Sequence, residues 1–232
     1  THKQLKYTLT ALPSADLLEK KLKECGDLAK KQGIRLVFHP NQFVNLGSPR
    51  EEVIESSIAD LEYHGELADY LGADVVNIHG GGAYGDKTAA LTRFVDNFKK
   101  MSKKAQKYVT IENDDKTYTP SDLLPVCKEL GIPLVYDVHH HRCLADNLSI
   151  EEATAAAIET WDREPLFHVS SPLEGWQGPQ PFRHHDYIDF SDIPDCWRTI
   201  NPLTIEIEAK AKELAIRALY SKLTESGWNI KQ

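Results

Sequence analysis

Short β-branched runs alternate with amphipathic stretches along nearly the whole of this chain, and that alternation constrains the fold more than any other feature. The runs are a candidate strand at Leu5 to Leu9, then Ile34-Arg-Leu-Val-Phe, Val75-Val-Asn-Ile, Tyr108-Val-Thr-Ile, Leu134-Val-Tyr, Leu166-Phe and Leu203 to Ile207. Helical periodicity fills the intervals over Lys20 to Lys31, Glu51 to Leu71, Leu91 to Met101, Ser121 to Leu130, Ile150 to Trp161 and Ala209 to Leu223. Gly33 and Gly72 stand where two of those helices should stop. Such repeats imply parallel strands joined by helical crossovers. The expected fold class is α/β, a TIM-type (β/α) barrel of about seven strands, one short of a closed eight.

The length of 232 residues suits a single domain over residues 1–232, and no low-complexity tract or linker divides it. Hydrophobic residues at 41% and charged residues at 27% exclude a disordered or fibrous chain. No apolar run approaches the roughly 18 residues that span a bilayer, and no signal-like opening is present, so a cytoplasmic or nucleoid-associated protein is expected. In a eukaryote the expectation is nuclear or mitochondrial. The chain opens at Thr1 rather than methionine, which suggests processing or a shortened start. The irregular piece Pro172 to Pro202 is long enough to be either functional or a simple excursion.

Each strand-like run ends on a residue that a strand core would not choose. Ile34 to Phe38 is followed by His39, Val75 to Ile78 by His79, and Tyr108 to Ile111 by Glu112. Leu134 to Tyr136 is followed by Asp137, with His140 three residues on; Leu166-Phe167 is followed by His168, and Leu203 to Ile207 by Glu208. In a (β/α) barrel all these positions open onto the C-terminal mouth, where active sites are built. A lone histidine at a strand end is more often a structural hydrogen-bonding residue. Six polar endings in register point instead to divalent metal, which accepts imidazole and carboxylate together. The four cysteines lie far apart with no CxxC pair, so a thiolate zinc site and a disulfide framework are not expected.

Two histidine clusters are ambiguous. In Asp137-Val-His-His-His the three imidazoles cannot share one direction on extended backbone; alternation would put His139 with Asp137, although the strand is ending there. His140 is the preferred ligand. His184-His-Asp186 offers one imidazole and one carboxylate to a further ion. His79-Gly-Gly-Gly-Ala-Tyr-Gly lets backbone approach a phosphate closely, or is a plain flexible turn; it lacks the pattern of a nucleotide-binding loop. Lys210 and Lys212 are candidates to steady a phosphate near the ions, or else a solvated helix start. The formal charge of -8 argues against broad adhesion to nucleic acid unless bound cations offset it.

Taken together, His39-Pro-Asn-Gln-Phe43, His79-Gly-Gly-Gly-Ala-Tyr-Gly, Glu112-Asn-Asp-Asp, Asp137-Val-His-His, Phe167-His-Val-Ser, His184-His-Asp-Tyr-Ile and Glu208-Ala-Lys-Ala-Lys resemble the UV-damage endonuclease family in order and spacing. The resemblance implies a TIM-barrel DNA repair enzyme related to endonuclease IV. Such an enzyme nicks damaged double-stranded DNA 5′ to a UV photoproduct or abasic site, as a monomer. It implies two or three divalent ions, manganese first, with zinc or another divalent ion as alternatives. His39, His79 and Glu112 match one ion site; Glu112, Asp137, His168 and Glu208 match a second; His140 and His184 match part of a third. Gln42 and Phe43 match a lesion-probing pair, in which a ring fills the space left by unstacked bases. A buried hydrophobic staple is the plain alternative for Phe43.

Two departures from the family pattern stand out. A lysine that many members carry two residues before the histidine matched by His168 is Leu166 here, so either the third ion is held more weakly or Asp186 supplies the missing charge. The family also has a further βα unit and much of the second before the region beginning near Thr1. Two other readings of a metal-binding (β/α) chain are a xylose-isomerase-like sugar isomerase or epimerase, and a noncatalytic protein that binds damaged DNA.

Overall fold

The computed structural model describes residues 9–230. Contacts gather the chain into two compact units, Thr1–Ile111 and Glu112–Gln232. Within each, parallel strands follow one another in chain order, as strand-helix alternation requires. Six strands occur among the described residues. The candidate strand at Leu5 to Leu9 lies outside them except for Leu9, which opens a 3-10 turn at Leu9–Ala11.

In the first unit β1 (Val37–Phe38) pairs with β2 (Val75–His79), Val37 opposite Val75 and Phe38 opposite Val76. The run leading into β3 (Val109–Glu112) takes a hydrogen bond of 2.7 Å from Val76 N–H to Tyr108 O. Helices α1 (Ala15–Lys31), α2 (Glu51–Leu71), α3 (Lys87–Phe98) and the single turn α4 (Lys103–Gln106) complete the unit. Helix α2 buries Ile54, Ser57, Leu61, Gly65 and Ala68. Their three- and four-residue spacing draws one stripe along the helix. Gly72 ends it in the left-handed region at φ 63°, as the sequence indicated. At Gly26 the missing side chain lets α1 press on the end of α2: a Cβ there would lie 2.1 Å from Leu71 O.

In the second unit β4 (Leu134–Asp137), β5 (Leu166–Val169) and β6 (Thr204–Ile207) are parallel neighbours. Their helices are α5 (Pro120–Leu130), α6 (Val138–Cys143), α7 (Ile150–Ile158) and α8 (Glu213–Glu225). Capping boxes of Thr119 with Asp122 and Ser149 with Glu152 start α5 and α7. Side chains alternate along each strand, so one face carries Tyr136, Phe167 and, beyond the sheet, Trp197. The Tyr136 and Phe167 rings meet edge-on at 5.7 Å, and the Phe167 and Trp197 rings lie tilted to each other at 5.3 Å. Trp197 Nε1 donates to Thr154 Oγ1 at 3.0 Å, which lets the indole bury without leaving its N–H unmet.

The same register fixes the opposite face. Asp137 stands opposite His168, and His168 opposite Glu206, so a carboxylate, an imidazole and a carboxylate form one row across three strands. A slip of β5 by one residue would put Phe167 or Val169 in the place of His168 between Asp137 and Glu206. No helix among the described residues is long and apolar enough to cross a membrane.

Candidate metal centre

The site is built on residues of the second unit, whose first residue is Glu112. Glu112 closes β3 and Asp137 closes β4; both are fully buried. Asn113 holds Asp137 in place, donating through Nδ2 to Asp137 O at 2.8 Å and accepting from Asp137 N–H at 3.0 Å. Asp137 Oδ1 in turn accepts the His140 N–H at 2.8 Å and so starts α6. The three adjacent histidines therefore sit on a helical turn rather than on extended backbone, and His140, the one preferred from the sequence, is the one that faces Asp137 and Glu112.

His140 Nδ1 lies 3.4 Å from Glu112 Oε1, 3.4 Å from Asp137 Oδ2 and 3.0 Å from Asn113 O. His168 Nδ1 lies 3.3 Å from Glu112 Oε1 and 3.4 Å from Glu208 Oε1, while its Nε2 is 3.3 Å from Glu206 Oε2. Glu208 spans two neighbours, its Oε2 being 3.6 Å from His184 Nδ1. Two ligand groups result, Glu112 with Asp137 and His168, and His140 with His184 and Glu208; in each the donor atoms lie within 4.8 Å of one another.

The buried Glu112 and Asp137, with the more exposed Glu206 and Glu208, shift His140 and His168 upward. Burial disfavours the charged form of His140, but Asp137 and Glu112 outweigh it and raise its pKa to about 10. Burial opposes the same shift at His168, where Glu112, Glu206 and Glu208 push the pKa well above the ordinary value. Asp137 is raised by burial, with Glu112 adding to it. Glu208 would also be raised by burial, yet the adjoining His168 holds it down at about 2. Asp137 Oδ2 is buried with no hydrogen bond among the described residues. A polar atom in that state fits a position meant for a cation.

The remaining predicted residues are placed as follows. Lys210 and Lys212 are exposed and line a cavity of about 560 Å³ together with Arg183, His184 and Glu208. Asp186 is exposed and stands outside both ligand groups. In the first unit His39, just after β1, and His79, ending β2, have ring centroids 5.3 Å apart. Gln42 and Phe43 are exposed in the loop after β1, Phe43 at 78%, which removes the buried-staple alternative. Leu166 is buried in β5, in register with Thr204.

Sequence reading missed Glu206 and Asn113. Glu206 was legible in principle, because it precedes Glu208 by the two-residue period of a strand and must share its side of β6. Asn113 acts through the backbone of β4, a long-range contact with no local signature.

The strand-helix order, the parallel register and the ligand row define a (β/α) protein of the TIM type with a candidate centre for divalent metal. A family model described as UV-endonuclease UvdE matches residues 5–231. The UV DNA damage endonuclease of Bacillus pumilus (strain SAFR-032) is 37% identical over 218 residues, covering 89% of this chain and 67% of that protein. The chain thus spans about two thirds of the length of this and a second Bacillus relative. The solved structure of SacUVDE superposes with a TM-score of 0.85 at 31% identity, over 98% of this chain and 76% of that one. Endonuclease IV from Thermus thermophilus follows at a TM-score of 0.63 and 19% identity, over 93% of this chain and 84% of that one, a likeness of fold alone. The chain belongs to the UV-endonuclease UvdE family.

Proposed function

We propose that the chain is a metal-dependent DNA repair endonuclease, nicking the backbone 5′ to UV photoproducts or abasic sites. The observation that carries this reading is the convergence of Glu112, Asp137 and His168, all buried, and of His140 with the half-buried His184 and Glu208, each group with its donor atoms within 4.8 Å of one another. Family membership supplies the substrate class, since the Bacillus pumilus relative is named a UV DNA damage endonuclease.

In this reading residues 1–232 form one (β/α) domain. His39 and His79 hold one ion with Glu112; Glu112, Asp137, His168 and Glu208 hold a second; His140 and His184 belong to a third. Glu208, at 3.6 Å from His184, serves that third site in place of Asp186. Imidazole and carboxylate donors suit manganese, with zinc or iron as close competitors. Divalent ions bound there supply a nucleophile at neutral pH and neutralise charge on the phosphate. Asn113 and Asp137 keep His140 in position, Glu206 orients His168 from behind, and Lys210 and Lys212 hold the scissile phosphate. Gln42 and Phe43 enter the duplex at the weakened step.

The test is incision of UV-irradiated supercoiled plasmid with manganese, against the same plasmid unirradiated. Nicking confined to the irradiated plasmid, and its loss in Glu112→Gln, are expected. Equal treatment of both plasmids, or full incision by Glu112→Gln, contradicts the assignment.

A further inference from the structure

In the first unit the loop after β1 and the glycine-rich loop after β2 are joined by one buried side chain. The Asn45 backbone N–H donates to Ser57 Oγ at 2.8 Å, fastening the first loop to α2. Asn45 Oδ1 accepts from Gly47 N–H at 3.0 Å, and Asn45 Nδ2 donates to the Tyr84 hydroxyl at 2.8 Å. The second loop lies directly on this amide: a Cβ at Gly81, whose φ is +85°, would stand 2.5 Å from Asn45 Cγ.

Tyr84 is held unusually. Its φ of 51° places a bulky aromatic residue in the left-handed region, yet its side chain is not buried, since 51% of the residue faces solvent. Packing does not account for that strain, and strained residues persist where the surroundings hold them for a ligand. A Cβ on Gly82 would come 3.4 Å from the Tyr84 ring, so the loop backbone supports the ring on one side. Phe43, 78% exposed, lies two residues before Asn45 on the other loop. Two exposed rings are thus mounted on loops that share one buried amide.

We propose that Tyr84 is a second DNA-contacting aromatic, stacking on a base or sugar next to the lesion, and that Asn45 positions it through the hydroxyl tether. The proposal rests on the repair-endonuclease reading above and adds to it a residue that grips a neighbouring nucleotide while Phe43 fills the opened step. Every base offers a π-face, so this contact favours unstacked nucleotides of any sequence. Undamaged duplex, with its bases stacked, offers no such face.

The experiment compares binding of a duplex carrying one abasic-site analogue with binding of the same duplex undamaged, by fluorescence anisotropy with calcium present to suppress cleavage. Tyr84→Ala should bind the damaged duplex about tenfold or more weakly. Its binding of undamaged duplex, its melting temperature and its metal content should match the parent chain. Tyr84→Phe keeps the ring and loses the tether, and should fall between the two. Should Tyr84→Ala fail to fold, the parent chain decides: irradiating a complex with 5-iodouracil beside the lesion should link Tyr84 to DNA, as read by peptide mass. Adducts that never include Tyr84, or a Tyr84→Ala variant as selective as the parent, overturn the proposal and leave the nuclease reading intact. A parent chain that binds both duplexes equally defeats the nuclease reading itself.

Discussion

Three neighbouring imidazoles, His139, His140 and His141, have three different surroundings because each α6 residue is turned about 100° from the last. His140 faces the carboxylates. His141 bridges instead, its Nδ1 2.7 Å from the Tyr136 hydroxyl and its Nε2 3.0 Å from Asp146 Oδ1. His139 packs between Trp176 and His184, each ring 5.1 Å away, and burial lowers its pKa to about 4. Asp146 would be raised by burial, but the Ser121 and Leu148 N–H groups and His141 bring it to about 2. A carboxyl lowered in the folded state stabilises above its ordinary value of 3.8 and loses that contribution as pH falls towards 2. Asp146→Ala should therefore cost about 1–3 kcal/mol at neutral pH, measured by urea denaturation, with metal content unchanged. A loss of bound metal in that variant would show that His141 serves the centre after all.

At the scale of elements, two forces compete at Gly26. Alanine is the better helix former by about 1 kcal/mol, and an isolated α1 would gain from it. In the fold, a Cβ would meet Leu71 O at 2.1 Å. Overpacking of this kind typically costs about 1–3 kcal/mol, so Gly26→Ala should lower the melting temperature; a rise would mean that α1 and α2 separate easily. That contact also shows which parts of the structure could be read in advance. Helix α2 was legible end to end, Glu51–Leu71, because a three- and four-residue apolar stripe stops at a left-handed glycine. Six strands and the polar residues that close them were legible from the β-branched runs. Helix α6 was not, because a histidine run has weak helix preference and its start depends on Asp137 accepting one N–H. The anchorage of the Pro172 to Pro202 stretch was equally hidden. It hangs on Asp192, which accepts from Trp176 Nε1 at 2.7 Å and through its backbone O from Arg142 at 2.6 Å, partners 16 and 50 residues away.

For the molecule as a whole, the proposed metal centre would make protons and cations competitors for one set of atoms. With His140 raised from 6.5 to about 10, the ion-free chain has this contribution in full below pH 6.5 and loses it as pH climbs through about 10. A metal ion bound there, as proposed, would replace the proton and remove that loss. Ions at a thousandfold excess over their Kd add about 4 kcal/mol of stability. The melting temperatures of manganese-loaded and EDTA-stripped protein should therefore diverge as pH rises from about 6.5 to about 10; a gap that stays constant or narrows counts against this centre as the binding site. The burial of the histidine run has a practical side. His139, His140 and His141 are 0%, 8% and 4% exposed, so a nickel-chelate resin can grasp the triplet only after the chain has opened. Retention on such a column should be weak for native protein and strong in denaturant, which turns an internal sequence run into a chromatographic gauge of unfolding.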